Sequence, residues 1–414
     1  MSLVVDIKKD FGSFVLDVSF EADNETLGFL GASGCGKSLT LRSIAGIEEP
    51  DEGKIVVNGT TYFDRVPGKR ARVNLSPQER KTAMLFQNYQ LFPNLTVRQN
   101  IAAGIPRSTP KDEVRKLVDE QLLRFGLVDK EERYPLQLSG GQQQRVALGR
   151  MLAARPGILM LDEPFSALDS HMKSALDQNL LGLFDEFEGT ILYVSHDIDE
   201  AFRFCDRIAV VESGHIEEVA LKRDLVNHPK SLAAIKLSGC KNTSRARKVD
   251  DRHLALLDYG IVVETSQDVP ADTTFAGVRA FRLERAWEPG PNVFRVRCDR
   301  VSDARFDRTV MVSFVDADPT LQALKKENAN TPRPKGTQGP SQARQKKPLF
   351  PWSRPKLTQE EHLEPQSEEH SMRFLRTHMQ WRIDKLATGE DGLPEEGDEL
   401  LLRIPPERLY LVNH

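Results

Sequence analysis

The sequence predicts an α/β protein with a mixed-sheet core and a helical subdomain, followed by a small β-rich, barrel-like domain. Three observations carry that expectation. An apolar run, Leu27 to Leu30, leads into Gly31-Ala-Ser-Gly-Cys-Gly-Lys37-Ser38 and then into a helix-like segment, Leu39 to Ala45, closed by Gly46. A second apolar run, Gly157 to Leu161, ends in two carboxylates, Asp162 and Glu163. Short unbroken apolar runs of this kind are strands covered on both faces, as in a parallel sheet. After about residue 235 the strand–helix rhythm gives way to short alternating strands.

The chain of 414 residues has room for two or three domains. A net charge of -4 gives no global basic excess, so no nucleic-acid partner is expected. Four cysteines, Cys35, Cys205, Cys240 and Cys298, lie far apart with no C-x-x-C spacing. They read as reduced thiols rather than a disulfide or zinc framework. The N-terminal residues carry no apolar signal core, and no stretch approaches the ~20 apolar residues that span a bilayer. Any action at a membrane is therefore expected to go through partner chains.

Leu3 to Phe20 alternates apolar and polar residues, as paired strands do. Between the two halves sits Asp10-Phe11-Gly12. Phe11 there suits either stacking on an adenine or a place in the turn or core. Gly31 to Ser38 then fits G-x-x-x-x-G-K-[ST], in the strand–loop–helix setting a phosphate-binding loop needs. Its glycines let backbone N–H groups point at phosphate oxygens, and the helix start adds unpaired N–H groups and a positive dipole end. Lys37 is expected to reach the β- and γ-phosphates and Ser38 to take a place on Mg²⁺. Cys35 reads as a small residue rather than a nucleophile.

Ile55 to Gly59 is a short strand ending in an Asn-Gly turn. Asp64 to Arg80 is polar, basic and turn-rich. Thr82 to Gln87 is an apolar strand ending in an amide, and Leu91 to Val97 an apolar loop. Thr109 is expected to cap a helix with Pro110 in its first position, Asp112 and Glu113 in its first turn, and Gly126 at its end. Val114, Leu117, Val118, Leu122 and Phe125 form its apolar stripe. Leu138-Ser139-Gly140-Gly141-Gln142 then opens a long helix through Arg145, Leu148 and Leu152. Beyond Glu163, Ser166-Ala-Leu-Asp169 precedes a helix with Met172, Ala175, Leu176, Leu180, Phe184 and Phe187 inward. Thr190 to His196 is another buried strand ending in a polar residue, and Ile208 to Val211 closes the sheet.

In the second half, Phe294–Cys298, Val310–Phe314, Leu375–Ile383 and Leu400–Ile404 read as strands of a small barrel or sandwich. They are interrupted at about 318–371 by a Pro-rich segment with a basic first half and an acidic second half, expected to be disordered. The expected organisation is thus 1–235, with the helical subdomain at about 88–155, and 236–414.

The ordered set Gly31–Ser38, Gln87, Leu138–Gln142, Asp162-Glu163, Ser166–Asp169 and His196 resembles the ATP-binding cassette (ABC) ATPases, a P-loop NTPase family. The resemblance covers Met1 to about Ile235. It implies that Gly31, Ala32, Ser33, Gly34, Cys35, Gly36, Lys37, Ser38 and Leu39 cradle the phosphates of ATP. It implies that Ser38 and Gln87 ligate Mg²⁺, with Asp162 holding the ion directly or through water. Glu163 would orient and deprotonate the attacking water, His196 would contact the γ-phosphate, and Phe11 would stack on adenine. Ser139, Gly140, Gly141 and Gln142 would face the ATP of a second cassette chain, with Asp169 at the seam, most simply in a homodimer. The groove by Gln87 and Leu91–Val97 would receive a short helix from membrane permease subunits.

The second half resembles the regulatory barrel of maltose, iron, polyamine and molybdate/sulfate importers, at Gly277-Val-Arg-Ala and at Ile404-Pro-Pro-Glu-Arg-Leu-Tyr-Leu. Leu75-Ser-Pro-Gln-Glu-Arg80 and Gln90-Leu-Phe-Pro lean towards the molybdate/sulfate group. The resemblance therefore implies an ATPase subunit of an oxyanion importer, peripheral on the cytoplasmic face of the membrane, with an extracytoplasmic solute-binding protein elsewhere in the system. An importer of iron, polyamine or sugar is the alternative, followed by an exporter subunit or a non-transport cassette protein.

Overall fold

A computed structural model describes residues 2–86, 89–165, 180–318, 321, 374, 377–388 and 392–413. The chain forms two compact units, Met1–Ser238 and Gly239–His414. Among the described residues no helix is long and apolar enough to cross a membrane.

In the first unit, β1 (Leu3–Asp10) and β2 (Val15–Ala22) pair antiparallel, Leu3 opposite Ala22. Their alternation buries Leu3, Val5, Ile7, Leu16 and Val18 on one face. β3 (Thr26–Leu30), buried throughout, leads through the glycine loop to α1 (Lys37–Ala45). β4 (Glu52–Val57) and β5 (Thr60–Arg65) form a hairpin. Asn58 and Gly59 both take positive φ there, the demand of a tight two-residue turn. β5 is a strand the sequence reading lacks. Its flanks are polar, yet it buries Tyr62 and Phe63. The polar stretch read from Asp64 onward thus begins inside a strand.

β6 (Val73–Asn74) and β7 (Thr82–Leu85) precede the helices α2 (Val97–Ala102), α3 (Lys111–Arg124) and α4 (Gly140–Ala153). The N-terminus of α3 differs by one residue from expectation. Pro110, not Thr109, is the N-cap, and no side chain caps the helix. Thr109 is one position too early for its hydroxyl to reach the second or third helical N–H. Then follow β8 (Ile158–Asp162), β9 (Thr190–Ser195), α5 (Ile198–Phe204), β10 (Arg207–Glu212), β11 (His215–Leu221), α6 (Lys222–Asn227) and α7 (Leu232–Leu237).

Two sheets make the frame. One is antiparallel, β2-β1-β4-β5-β6; the other is β11-β10-β3-β9-β8-β7. In the second, β10, β3, β9, β8 and β7 run parallel, and β11 pairs antiparallel with β10 at the edge. The strand at Ile208–Val211 is therefore interior, with β11 closing the sheet. Alternate residues of the parallel strands feed two cores. Ile158, Met160, Leu192 and Val194 pack with α1 and the antiparallel sheet. Leu159, Leu161, Ile191 and Tyr193 pack with α2, α3 and α4. Leu41 and Ile44 of α1 are fully buried, worth roughly 1.5–3 kcal/mol each.

The second unit contains β12 (Asn242–Lys248), β13 (His253–Leu256), β14 (Ile261–Glu264), β15 (Phe275–Val278), β16 (Glu284–Ala286), β17 (Val293–Asp303), β18 (Asp307–Phe314), β19 (Met379–Asp384), α8 (Lys385–Thr388), β20 (Glu399–Arg403) and β21 (Tyr410–Val412). The strands form two antiparallel sheets, β14-β13-β12-β15-β21 and β16-β20-β17-β18-β19. Both sheets feed one core that includes Leu254, Leu256, Val278, Val296, Val310, Trp381 and Leu402. The four strands read from the sequence fall in the second sheet, the one expected at Leu375–Ile383 beginning only at Met379. β12 escapes pattern reading because its buried positions are Asn242, Ser244 and Ala246, polar or small, with Thr243 and Arg245 between them and Arg247 after them. The two stretches that carried the resemblance of this half meet: β15 pairs with β21, Gly277 opposite Tyr410. The expected insertion at 318–371 lies almost wholly outside the described residues.

Candidate functional site

Three adjacent parallel strands end at one edge. Leu30 at the end of β3 pairs with Ser195 at the end of β9, and Val194 pairs with Asp162 at the end of β8. The loops that leave these ends carry Gly31–Ser38, His196 and Glu163. Open α/β sheets bind ligands at this carboxyl edge.

The loop is built on tight backbone approaches. A methyl group at Gly31 would stand 2.2 Å from the Val211 carbonyl oxygen and 2.7 Å from Cys35 Sγ, so only glycine fits. Gly36, the N-cap of α1, has φ +111°, a conformation that spares no room for a Cβ. From behind, Gly214 N donates 3.0 Å to the Cys35 carbonyl oxygen. The sequence marks Ser213-Gly214 only as a turn; its role as a prop for the loop depends on a contact across 179 positions and has no local signal. Ala32, Ser33 and Gly34 are exposed, whereas Gly31, Cys35, Gly36 and Lys37 are buried. Lys37 Nζ donates to the carbonyl oxygens of Gly31 at 2.7 Å and Ala32 at 2.9 Å, so its ammonium lies in the mouth of the loop. Ser38 and Leu39 are half-buried in the first turn of α1.

Ser38 Oγ donates to Asp162 Oδ1 at 2.6 Å. Burial raises the Asp162 carboxyl above its ordinary value, while the Ser38 hydrogen bond and the Arg42 charge pull it back. Next to it, Glu163 sits at φ +46°, left-handed backbone that a non-glycine residue takes only when its surroundings hold it there. Glu163 N donates to the Val194 carbonyl oxygen at 3.1 Å, which ties it to β9. Its Oε2 lies 3.3 Å from His196 Nδ1, and the His196 side chain is 56% exposed. Glu163 and His196, 33 positions apart in sequence, thus meet.

These groups fit a nucleotide with Mg²⁺. The oxygens of Ser38 and Asp162 are the hard donors Mg²⁺ prefers, and the exposed rim of the loop offers N–H groups to phosphate. No cluster of three or more His, Cys, Asp or Glu residues stands ready to hold a metal among the described residues.

Phe11 lies in the β1–β2 turn, 39% exposed, with its ring 6.2 Å from Phe14 and Lys9 Nζ 5.3 Å above it. Phe14 in turn reaches the loop, 3.1 Å from where a Gly36 Cβ would be. Ser139, Gly140, Gly141 and Gln142 begin α4, a second helix N-terminus. There Ser139 Oγ accepts from Gln142 N, and Gln142 Oε1 accepts from Ser139 N at 3.1 Å. This reciprocal cap leaves Ser139 and Gly140 exposed. Gln87, Ser166 and Asp169 lie outside the described residues.

One residue the sequence marked only by resemblance has a clear job. Arg80, 3% exposed, donates to the Ser43 and Ile44 carbonyl oxygens at 2.7 and 2.8 Å, closing the far end of α1. It also donates to the Leu75 carbonyl oxygen at 3.0 Å and lies over the Tyr62 ring.

Residues 16–166 match the family described as ABC transporter. A sulfate/thiosulfate import ATP-binding protein of Gloeobacter violaceus is 43% identical over 248 residues, covering 59% of this chain and 69% of that protein. A protein of the same description from Synechococcus elongatus is 35% identical over 328 residues, covering 78% of this chain and 89% of that protein. A solved ATP-binding cassette dimer in a post-hydrolysis state with ADP and phosphate is 28% identical, covers 54% of this chain and 99% of that one, and gives a TM-score of 0.45. With a phosphate loop, a buried aspartate and a Glu–His pair gathered at one sheet edge, and relatives matched over most of their length, the chain belongs to the ABC transporter family as an ATP-hydrolysing member.

Proposed function

We propose that this chain is the ATPase subunit of an importer for an oxyanion, sulfate or thiosulfate, working as a head-to-tail homodimer with two ATP molecules at the seam. The observation that carries the reading is the delivery of Lys37, Ser38, Asp162, Glu163 and His196 to one edge by β3, β8 and β9. The relatives named above are sulfate/thiosulfate import proteins, and none of them is a molybdate protein.

Hydrolysis here needs positioning and charge neutralisation more than covalent help. Gly31 to Leu39 would cradle the phosphates, and Lys37 would exchange its two carbonyl partners for β- and γ-phosphate oxygens. Ser38, Asp162 and Gln87 would hold Mg²⁺, which when bound neutralises charge on the β- and γ-phosphates. Glu163 would accept a proton from the attacking water. His196, beside it, would contact the γ-phosphate and hold the site closed. Phe11 would take the adenine on its exposed face.

The exposed start of α4 supports the dimer. It is a second glycine-lined helix N-terminus on a chain whose phosphate loop already has one on α1, and anions bind well at such ends. Ser139, Gly140, Gly141 and Gln142, with Asp169, would complete the partner's site. Closure on ATP and opening after hydrolysis would pass to permease subunits at the cytoplasmic face through the groove by Gln87 and Leu91–Val97. An extracytoplasmic solute-binding protein would deliver the anion.

Two measurements test this. Uptake of labelled sulfate and thiosulfate in a strain deleted for this chain should fail and return with the wild-type chain; normal uptake of both with failed uptake of iron, polyamine or sugar would reassign the solute. Sedimentation with Mg-ATP should show a dimer that ADP does not support; a monomer under both conditions would sink the head-to-tail arrangement.

A further inference from the structure

We infer that Glu200 is a positioning residue for His196, acting through the Ser195 hydroxyl. The inference rests on the reading of His196 as a group at the γ-phosphate. His196 leaves β9 into solvent: its side chain is 56% exposed, so packing alone does not fix its direction. What fixes it is the backbone on either side.

Tyr193 and Ser195 are two apart on β9, so both side chains leave the strand on the same face. Both are buried, at 0% and 1% exposure, and both reach one oxygen of Glu200 on α5. Ser195 Oγ donates to Glu200 Oε2 at 2.8 Å, and Tyr193 Oη donates to it at 3.3 Å. The same Ser195 oxygen accepts from Asp197 N at 2.9 Å. That bond closes a turn with His196 at its centre. Asp197 Oδ1 then accepts from Asp199 N at 2.8 Å and starts α5, which carries Glu200 back to Ser195. The loop of bonds is closed: strand end, turn, helix and carboxylate each fix the next.

A hydroxyl can donate only one proton. With that proton committed to Glu200, the Ser195 oxygen is free to accept from Asp197 N, and the turn is held in one form. A carboxylate acceptor makes this bond stronger than a neutral one would. Without Glu200, the buried Ser195 hydroxyl loses its acceptor and the turn loses its orientation. His196 then wanders relative to Glu163, whose Oε2 it meets at 3.3 Å. Displacements of about 1 Å at a reacting centre cost up to ~100-fold in rate.

The test uses the full chain in a steady-state Mg-ATP hydrolysis assay, with His196→Ala as reference. Glu200→Leu and Ser195→Ala should each lower kcat about 10- to 100-fold with little change in KM for ATP. Glu200→Gln, whose amide oxygen still accepts from Ser195, should keep kcat within a few-fold of wild type. The Ser195→Ala/Glu200→Leu double variant should be no slower than the slower single variant. A purely structural role would lower the melting temperature of Ser195→Ala and Glu200→Leu while leaving kcat of the folded protein near wild type. Ser195→Ala removes a single oxygen and carries the test even if Glu200→Leu does not fold. Wild-type kcat in Ser195→Ala with an inactive His196→Ala overturns the inference and leaves the His196 assignment standing. An active His196→Ala overturns that assignment and the inference with it.

Discussion

Ser38 and Asp162, 124 positions apart in sequence, share a 2.6 Å hydrogen bond at the carboxyl edge of the parallel sheet. The bond pre-aligns the two oxygens that would hold Mg²⁺ and lowers the pKa of a carboxyl that burial raises. Ser38→Ala should therefore raise the Mg²⁺ concentration for half-maximal hydrolysis at least about 10-fold. It should also move the acid limb of the activity profile to higher pH. The sign follows from the direction of the shift: with the stabilising hydroxyl gone, Asp162 takes up its proton at a higher pH, and the protonated form does not hold the metal. Magnesium titrations at several pH values check both; an unchanged magnesium requirement would remove Ser38 from the site.

Glu163 accepts no metal in this reading; its work is the water. Glu163→Gln keeps the shape and removes the base, so hydrolysis should fall about 100- to 10,000-fold while nucleotide affinity stays near wild type. The trapped ATP should also prolong the dimer. Phosphate release and equilibrium nucleotide binding separate the two effects, and turnover within a few-fold of wild type would refute the assignment.

Arg80 donates to two carbonyl oxygens at the end of α1 from a buried position. Arg80→Ala leaves the Ile44 carbonyl oxygen without this donor and the Ser43 oxygen with Gly46 N alone, at 3.2 Å, at a cost of about 3 kcal/mol. A fall in melting temperature of roughly 5–10 °C is expected. Arg80→Lys restores one donor group of different shape and should recover only part of it. Thermal unfolding followed by circular dichroism is the check; a change under about 1 °C would mean that the helix end finds other partners.

Cys35, 7% exposed and with Sγ 3.7 Å from Lys37 Nζ, is the most accessible of the four thiols. Burial pushes the Cys205 thiol far up and those of Cys240 and Cys298 to about 11. A maleimide at neutral pH should therefore modify Cys35 first, and ATP in the loop should block it. Equal labelling with and without ATP, read by mass spectrometry, would show that the nucleotide does not occupy the loop.

The part of the candidate site that lies among the described residues was legible in the sequence because those residues sit in short local patterns. Gly31–Ser38, Asp162-Glu163 and His196 each end an apolar run, and runs of that kind become adjacent parallel strands. What stayed hidden is contact between distant segments. Nothing near Gly214 tells that its N–H supports Cys35, and nothing near Arg80 tells that it closes α1. The strand β5 was missed because polar residues flank Tyr62 and Phe63. The strand β12 was missed because its inward positions hold Asn242 and Ser244, whose burial is satisfied by hydrogen bonds rather than marked by hydrophobicity. Thr109 was misplaced by one residue, the resolution at which helix ends are written in sequence.

Gly31 lies early in the chain, but the wall it presses against does not. Val211 supplies the carbonyl that leaves no space for a side chain at Gly31, and Gly214 supplies the N–H that holds Cys35. During synthesis, a nascent chain that has emerged only as far as β9 carries Lys37, Ser38, Asp162 and Glu163, yet its phosphate loop has no back. The back wall of the loop is complete only when β10 and the turn at Gly214 have been added, so the loop is a product of both ends of the first unit.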